Sequence, residues 1–318
     1  MEPLTPLWIA TAPGTTFEAV ADPLDVDVAV LGGGIAGLTT ALLLQEQGAD
    51  VAVIEADRIG LGATARATVK VTAGHGLRYA QIARRHGEDA ARTYAEANVA
   101  AIGSIGSIVT RHAIDCSFER RRHIVCAEDE QTRRQLLEEV ELERKIGLPM
   151  SFAPSSDLPL DVAGCLVMDE QAQFHPRRYL LGLADAFVRA GGAIFEGSRA
   201  TRIEDHGSCT VEVNGTAIRA DDVVVATGAP ISDRGLLAAR MTPFQEYGVA
   251  AEISNDDAPS DMYLSATDGA WSVRSAVIGE HTYLIVVGAK HEVGRPPEGR
   301  DPYTDLFGWM RSHFAVGE

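Results

Sequence analysis

The chain has 318 residues, a net charge of −17, 46% hydrophobic residues and four cysteines. That acidity would repel nucleic-acid phosphates and anionic membrane surfaces. No apolar run approaches the ~20 residues that span a bilayer, and the start, Met1 to Pro6, lacks the basic and apolar regions of a secretory signal. Cys116, Cys126, Cys165 and Cys209 are dispersed without framework spacing, which predicts free thiols and a cytoplasmic location. The length suffices for one large or two modest domains.

A Pro-bearing lead occupies residues 1–25. An apolar strand then runs from Val28 to Leu31 into Gly32, Gly33, Gly34, Ile35, Ala36 and Gly37. A helix follows, carrying Leu38, Leu42, Leu43 and Leu44, and then a second apolar strand, Val51 to Ile54, that ends in Glu55. Strand, glycine turn, helix, strand and acid in this order predict a dinucleotide site. Gly32 permits the tight turn, Gly34 the approach of a pyrophosphate, and Gly37 the close packing of helix on strand. The helix start offers unpaired amides and the positive end of its dipole. Glu55 is placed to accept hydrogen bonds from ribose hydroxyls.

The chain continues through Ala56, Arg58, Gly62, Ala63, Thr64 and Thr68, a small, polar stretch whose amides can crowd a second phosphate or a flat ring, with Arg58 adding charge. Residues 77–115 read as helical, with Tyr79, Ile82, Tyr94 and Ile105 on the apolar face. A strand around His123 to Cys126 precedes a helix starting near Glu128. Pro176 suits a first helical turn that His175 caps, and that helix carries Tyr179, Leu180, Leu183 and Phe187. Ala193 to Glu196 follow as a strand. A later strand, Val223 to Val225, closes on Ala226, Thr227 and Gly228, where small residues suit approach to a dinucleotide. Beyond Met241, the alternating runs Tyr247 to Ile253, Trp271 to Arg274 and Thr282 to Val287 predict antiparallel strands, and Asp305 to Phe314 looks helical.

These segments together resemble the D-amino-acid oxidase-like (DAO, glycine oxidase) family of FAD-dependent oxidoreductases. The resemblance implies an α/β fold: a Rossmann-like FAD domain at 26–76 and 162–235, with a helical segment and an antiparallel-sheet substrate domain at 77–161 and 236–318. It implies FAD as cofactor, with contacts from Gly32, Gly34, Ile35, Ala36, Gly37, Glu55, Ala56, Arg58, Gly62, Ala63, Thr64, Thr68, Ala200, Thr227 and Gly228. Arg199 and Ala200 would touch the adenine. Hydride transfer from an amine, amino acid or similar small molecule to the flavin is the implied chemistry. Lys70 and His75 are candidates near the flavin, Lys70 to stabilise the reduced ring or assist oxygen. Arg274 is the best candidate to meet a substrate carboxylate, ahead of Tyr247, Lys290 and His291.

A narrower resemblance, in Pro6 to Trp8, Ala65 to Gly76 and Tyr94 to Asn98, points to the branch that carries a C-terminal Rieske domain. A Rieske cluster needs two cysteines and two histidines as ligand pairs. This sequence has no Cys-x-His or Cys-x-x-His pair, so no metal site is expected here. The sequence also stops before the closing strand of the family's FAD domain, and a truncated chain is expected. Two alternatives stand beside the oxidoreductase reading. One is an electron-transfer module with an iron–sulfur partner, and the other a truncated nucleotide-binding protein without turnover. An NAD dehydrogenase is least favoured, since it would not need the second glycine stretch.

Overall fold

A computed structural model describes residues 5–205, 207–231, 238–295 and 301–317. The chain divides into two compact units, Met1–Ala67 with Ile108–Cys116 and His175–Met241, and Thr68–Ser107 with Ser117–Phe174 and Thr242–Glu318.

The first unit is built on a six-stranded sheet. Strand β1 (Leu24–Leu31) lies between β2 (Val51–Ile54) and β10 (Thr216–Val225), and β7 (Ala193–Phe195) flanks β2. These four strands run parallel. Strands β9 (Cys209–Val213) and β8 (Ala200–Asp205) extend the sheet antiparallel beyond β10. All four residues of β2 and the last four of β1 are buried, as expected of parallel strands covered on both faces. Helix α2 (Ile35–Glu46) buries Leu38 and Leu42, while Leu43 points outward at 39% exposure. Helix α6 (Pro176–Arg189) begins as predicted, with His175 Nδ1 accepting from the Arg178 N–H at 3.3 Å. The lead is part of this unit. Its short helix α1 (Leu7–Ala10) buries Trp8, whose indole N–H donates to Ala67 O at 2.9 Å.

The second unit carries an eight-stranded sheet: β3 (Lys70–Val71), β4 (Glu119–Ala127), β5 (Met150–Ala153), β6 (Gly164–Gln173), β11 (Phe244–Glu252), β12 (Met262–Ser265), β13 (Trp271–Ile278) and β14 (His281–Glu292). The pairing is antiparallel, as expected, except between β12 and β4, which run parallel from Met262 opposite His123 to Ser265 opposite Cys126. Those two strands are far apart in sequence, so no hairpin dictates their direction. The expected helical stretch is two helices, α3 (Arg78–His86) and α4 (Glu88–Arg111), separated at Gly87. Helices α5 (Glu130–Lys145) and α7 (Pro302–His313) match the remaining helical expectations.

The unit boundaries differ from the ranges read from sequence. Strand β3 pairs with Ala172 and Gln173 of β6, so residues 68–76 and 162–174 belong with the second sheet. Residues 108–116 and the lead belong with the first.

Helix α5 carries two fully buried acids into the second core. Glu139 accepts the N–H groups of Tyr79 (2.6 Å) and Ala80 (3.1 Å), which the first turn of α3 leaves unpaired. Glu143, one turn on, has no partner for either oxygen among the described residues. Burial, and then the neighbouring Glu139, push its carboxyl up to about 9. The folded state therefore holds this proton more tightly than the unfolded chain does. That contribution is fully present below the ordinary carboxyl range and is lost as pH rises toward 9. Denaturation from pH 5 to 8 should show wild-type stability falling by as much as ~3 kcal/mol more than that of Glu143→Gln. Parallel profiles would refute the buried neutral acid.

Candidate functional site

In the first unit, β1 delivers its chain into a turn with φ of +110° at Gly32. A Cβ there would approach Ala226 O to 2.6 Å, and one at Gly37 would collide with Gly32 O. These two glycines let helix, turn and the end of β10 meet backbone to backbone. Gly34 is different. A Cβ there would meet only Thr64 Oγ1, at 3.6 Å. Gly34 is also the N-cap of α2 and gives no side-chain cap, so the first-turn amides beyond it, at half-buried Ile35 and exposed Ala36, are uncapped by that residue. Open space over an uncapped helix start fits a pyrophosphate.

Glu55 closes the turn from below. Its Oε2 accepts the Gly33 N–H at 2.7 Å, and its Oε1 the Asp57 N–H at 2.9 Å. The carboxylate thus ties the glycine turn to the loop after β2. In that loop Ala56 and Thr64 are half-buried, and Arg58, Gly62 and Ala63 are exposed. Arg66 folds the loop over itself by donating to Leu61 O at 2.7 Å. Ala200 opens β8, half-buried. Thr227 and Gly228 are exposed beyond β10, with the Thr227 hydroxyl donating to Ala229 O at 2.5 Å. Thr68 begins the second unit.

The second unit gathers bases. Lys70 on β3 donates to Ser272 Oγ at 2.6 Å and to Tyr263 O. Desolvation, then the Arg274 charge, hold its amine well below the ordinary lysine range. Arg274 on β13 is 1% exposed and donates to Phe174 O at 3.3 Å. Burial opposes its charge, and Glu119 offsets part of that cost. His75 lies apart from this pair. Its Nδ1 is 3.1 Å from the Tyr94 hydroxyl, and its ring stacks at 6.4 Å on Tyr79. Burial, then Arg78, lower its pKa. Tyr247 and His291 stack on each other at 5.6 Å, and Lys290 pairs with Asp268 at 2.8 Å.

Sequence reading missed His123. It is 1% exposed, its Nδ1 lies 3.0 Å from Thr72 Oγ1, and its Nε2 has no partner among the described residues. Desolvation, then Lys70, then His75 keep it well below the ordinary histidine range. Glu196 was missed too. It is 4% exposed and accepts from the Thr15 hydroxyl, the Phe17 N–H (3.1 Å) and the Ile59 N–H (2.8 Å). A signal existed, since Phe195-Glu196 repeats the strand-then-acid pattern of Ile54-Glu55.

The model of the DAO family, FAD dependent oxidoreductase, matches residues 27–315. The chain belongs to this family. It is 33% identical over 91% of its length to YhfW of Bacillus subtilis (strain 168), whose name marks it as a Rieske 2Fe-2S iron–sulfur protein, and covers 57% of that protein. It is 28% identical over 69% of its length to gamma-glutamylputrescine oxidoreductase of Escherichia coli (strain K12), covering 52% of that chain. The chain therefore spans little more than half the length of these relatives. Glycine oxidase from Geobacillus kaustophilus shares the fold, with a TM-score of 0.66 at 19% identity over 92% of this chain and 78% of that one. FAD is the family's cofactor. Among the described residues no helix is long and apolar enough to cross a membrane.

The glycines differ in what they tolerate, and this is measurable. Gly37→Ala should destabilise the chain by roughly 1–3 kcal/mol, because its Cβ meets backbone that cannot yield. Gly34→Ala should stay within about 0.5 kcal/mol, as an ordinary contact on a half-open site. Urea denaturation of the two variants checks this, and equal losses would refute the distinction.

Proposed function

We infer that the chain holds FAD at the glycine turn of the first unit and serves the oxidation of a small amine or amino acid. The observation carrying this reading is the open space over Gly34, beside backbone packing that admits no side chain at Gly32 or Gly37. The amides of Ile35 and Ala36 suit the pyrophosphate. Glu55 keeps lone pairs for ribose hydroxyls even though both oxygens already accept a backbone N–H. Ala56, Arg58, Gly62, Ala63, Thr64, Thr68, Ala200, Thr227 and Gly228 are proposed as further contacts, supported by the family resemblance. Bound FAD would supply a two-electron acceptor for a substrate C–H bond.

The chain's own contribution lies in proton and charge placement. An amine must be neutral to give up a hydride equivalent. In its neutral form Lys70 has two N–H donors, for which Tyr263 O and Ser272 Oγ are the acceptors, leaving its lone pair for a proton from a substrate ammonium. Burial first, and then the Arg274 charge, keep that amine weakly basic. The deep burial of Arg274 suits this electrostatic role better than a direct grip on a substrate carboxylate. His75 is a secondary candidate, tied to Tyr94. An amine substrate is supported by the name of the E. coli relative. The name of the B. subtilis relative supports a second reading of the electron acceptor, an iron–sulfur partner in place of oxygen. A cytoplasmic location is proposed on four cysteines that form no disulfide.

The first test is the visible absorption of the purified chain. A flavin band that survives desalting, and releases FAD on denaturation, is expected. A colourless protein that takes up no added FAD would sink the reading. For Lys70→Met, FAD content should be unchanged while kcat/KM on a substrate found by anaerobic bleaching falls about 10²–10⁴-fold. The wild-type rate should climb with pH as Lys70 loses its proton, and the variant should lack that limb. Retention of the limb would remove Lys70 from the proton transfer.

A further inference from the structure

Glu196 and Arg177 lie behind the loop that follows β2, and neither is among the residues proposed to touch FAD. Both converge on one residue, Ile59. Its N–H donates to Glu196 Oε1 at 2.8 Å, and its carbonyl accepts from Arg177 Nη1 at 3.3 Å. Its side chain, 1% exposed, packs on Gly33 of the glycine turn, where even a Cβ would collide with it. Ile59 is thus fixed at amide, carbonyl and side chain, next to Arg58.

The same two side chains hold the N-terminal lead. Glu196 accepts from the Thr15 hydroxyl and, at 3.1 Å, from the Phe17 N–H. Arg177 Nε donates to Pro13 O at 3.0 Å. Ser198, two residues beyond Glu196 and fully buried, accepts the Val20 N–H at 2.9 Å. At the far end of the loop Trp8 bonds Ala67 O. The lead therefore crosses the loop as a strap pinned at both ends, with Glu196 and Arg177 as the shared rivets.

We propose that Glu196 and Arg177 are positioning residues for the cofactor site, acting through Ile59 to set the glycine turn and the 56–67 loop, with the strap of residues 6–20 as part of that device. This rests on the FAD reading above. The chemistry of Glu196 is specific. Three donors point at its two oxygens, so an amide of the same shape must turn an NH₂ group toward one of them.

Glu196→Gln should raise the FAD dissociation constant at least about tenfold, a loss typical of one hydrogen bond to a charged group. The melting temperature of the apo chain should fall by only the roughly 2–4 °C that one lost hydrogen bond costs, so the local exchange change is what separates positioning from bulk stability. Deuterium exchange in a peptide covering residues 56–67 of the apo chain should quicken. Thr15→Val, which sheds a single donor on the strap, should move affinity and exchange the same way by a smaller step, and serves if Glu196→Gln fails to fold. Wild-type exchange and wild-type affinity in Glu196→Gln, or in Thr15→Val where that variant must serve, would overturn the proposal. So would an affinity loss in which exchange quickens throughout the apo chain rather than in residues 56–67. If the wild-type chain takes up no FAD, the cofactor reading fails by itself, and the exchange comparison still decides whether Glu196 holds the loop.

Discussion

Two carboxylates at the ends of adjacent parallel strands organise the first unit. Ile54 and Phe195 are register partners, so Glu55 and Glu196 leave the sheet side by side. Neither forms an ion pair among the described residues; each accepts two backbone N–H groups from segments outside the sheet. Charge-assisted hydrogen bonds of this kind are worth about 1.5–3 kcal/mol each, which offsets the desolvation of a carboxylate when several are made. The glycine turn, the loop after β2 and the N-terminal lead have few regular backbone partners of their own. They hold their shape because these acids supply the missing acceptors.

That arrangement ties geometry to function in a particular way. A phosphate-facing turn has to keep its outward amides uncommitted, so it cannot be stabilised by hydrogen bonds on its ligand side. The constraint comes from behind. Glu55 takes the inward N–H of Gly33, Ile59 packs against the same residue, and Gly37 lets α2 sit on the Gly32 carbonyl. Preorganisation of this sort lowers the ordering cost that a bound dinucleotide would otherwise meet.

Local patterns in the sequence carried the nucleotide half well. Gly32 to Gly37, the apolar strands and the terminal acid lie within one stretch whose spacing is itself the geometry, and the His175–Pro176 helix start was equally local. What stayed illegible depended on distant partners. Trp8 bonds a carbonyl 59 residues away, and Thr15 an acid 181 residues away. The lead therefore reads as a surface segment although its tryptophan is buried. The division between units moved from residue 76 to 67 because a two-residue strand at Lys70 pairs with β6. The parallel pairing of β12 with β4 brings His123 into the sheet beside Met262, and nothing in the alternation around His123 distinguishes a buried histidine near a lysine from an ordinary strand residue.

In the second unit three buried groups, Glu139, Lys70 and His123, rest on neutral partners rather than on each other. Glu139 is satisfied by the amides opening α3, Lys70 by a carbonyl and a hydroxyl, and His123 by a hydroxyl on one nitrogen. A buried lysine–glutamate pair would bring each group closer to its ordinary charge state and lock both protons in place. Neutral partners do the opposite. They support the side chain without fixing its charge, so burial is left to set the proton affinity, downward for Lys70 and upward for Glu143. For Glu143, with no partner among the described residues, the result is a stability cost that grows with pH. The same physics at Lys70 leaves an amine that gives up its proton more readily than an ordinary lysine, a property that an ion-paired lysine on the same strand would lack.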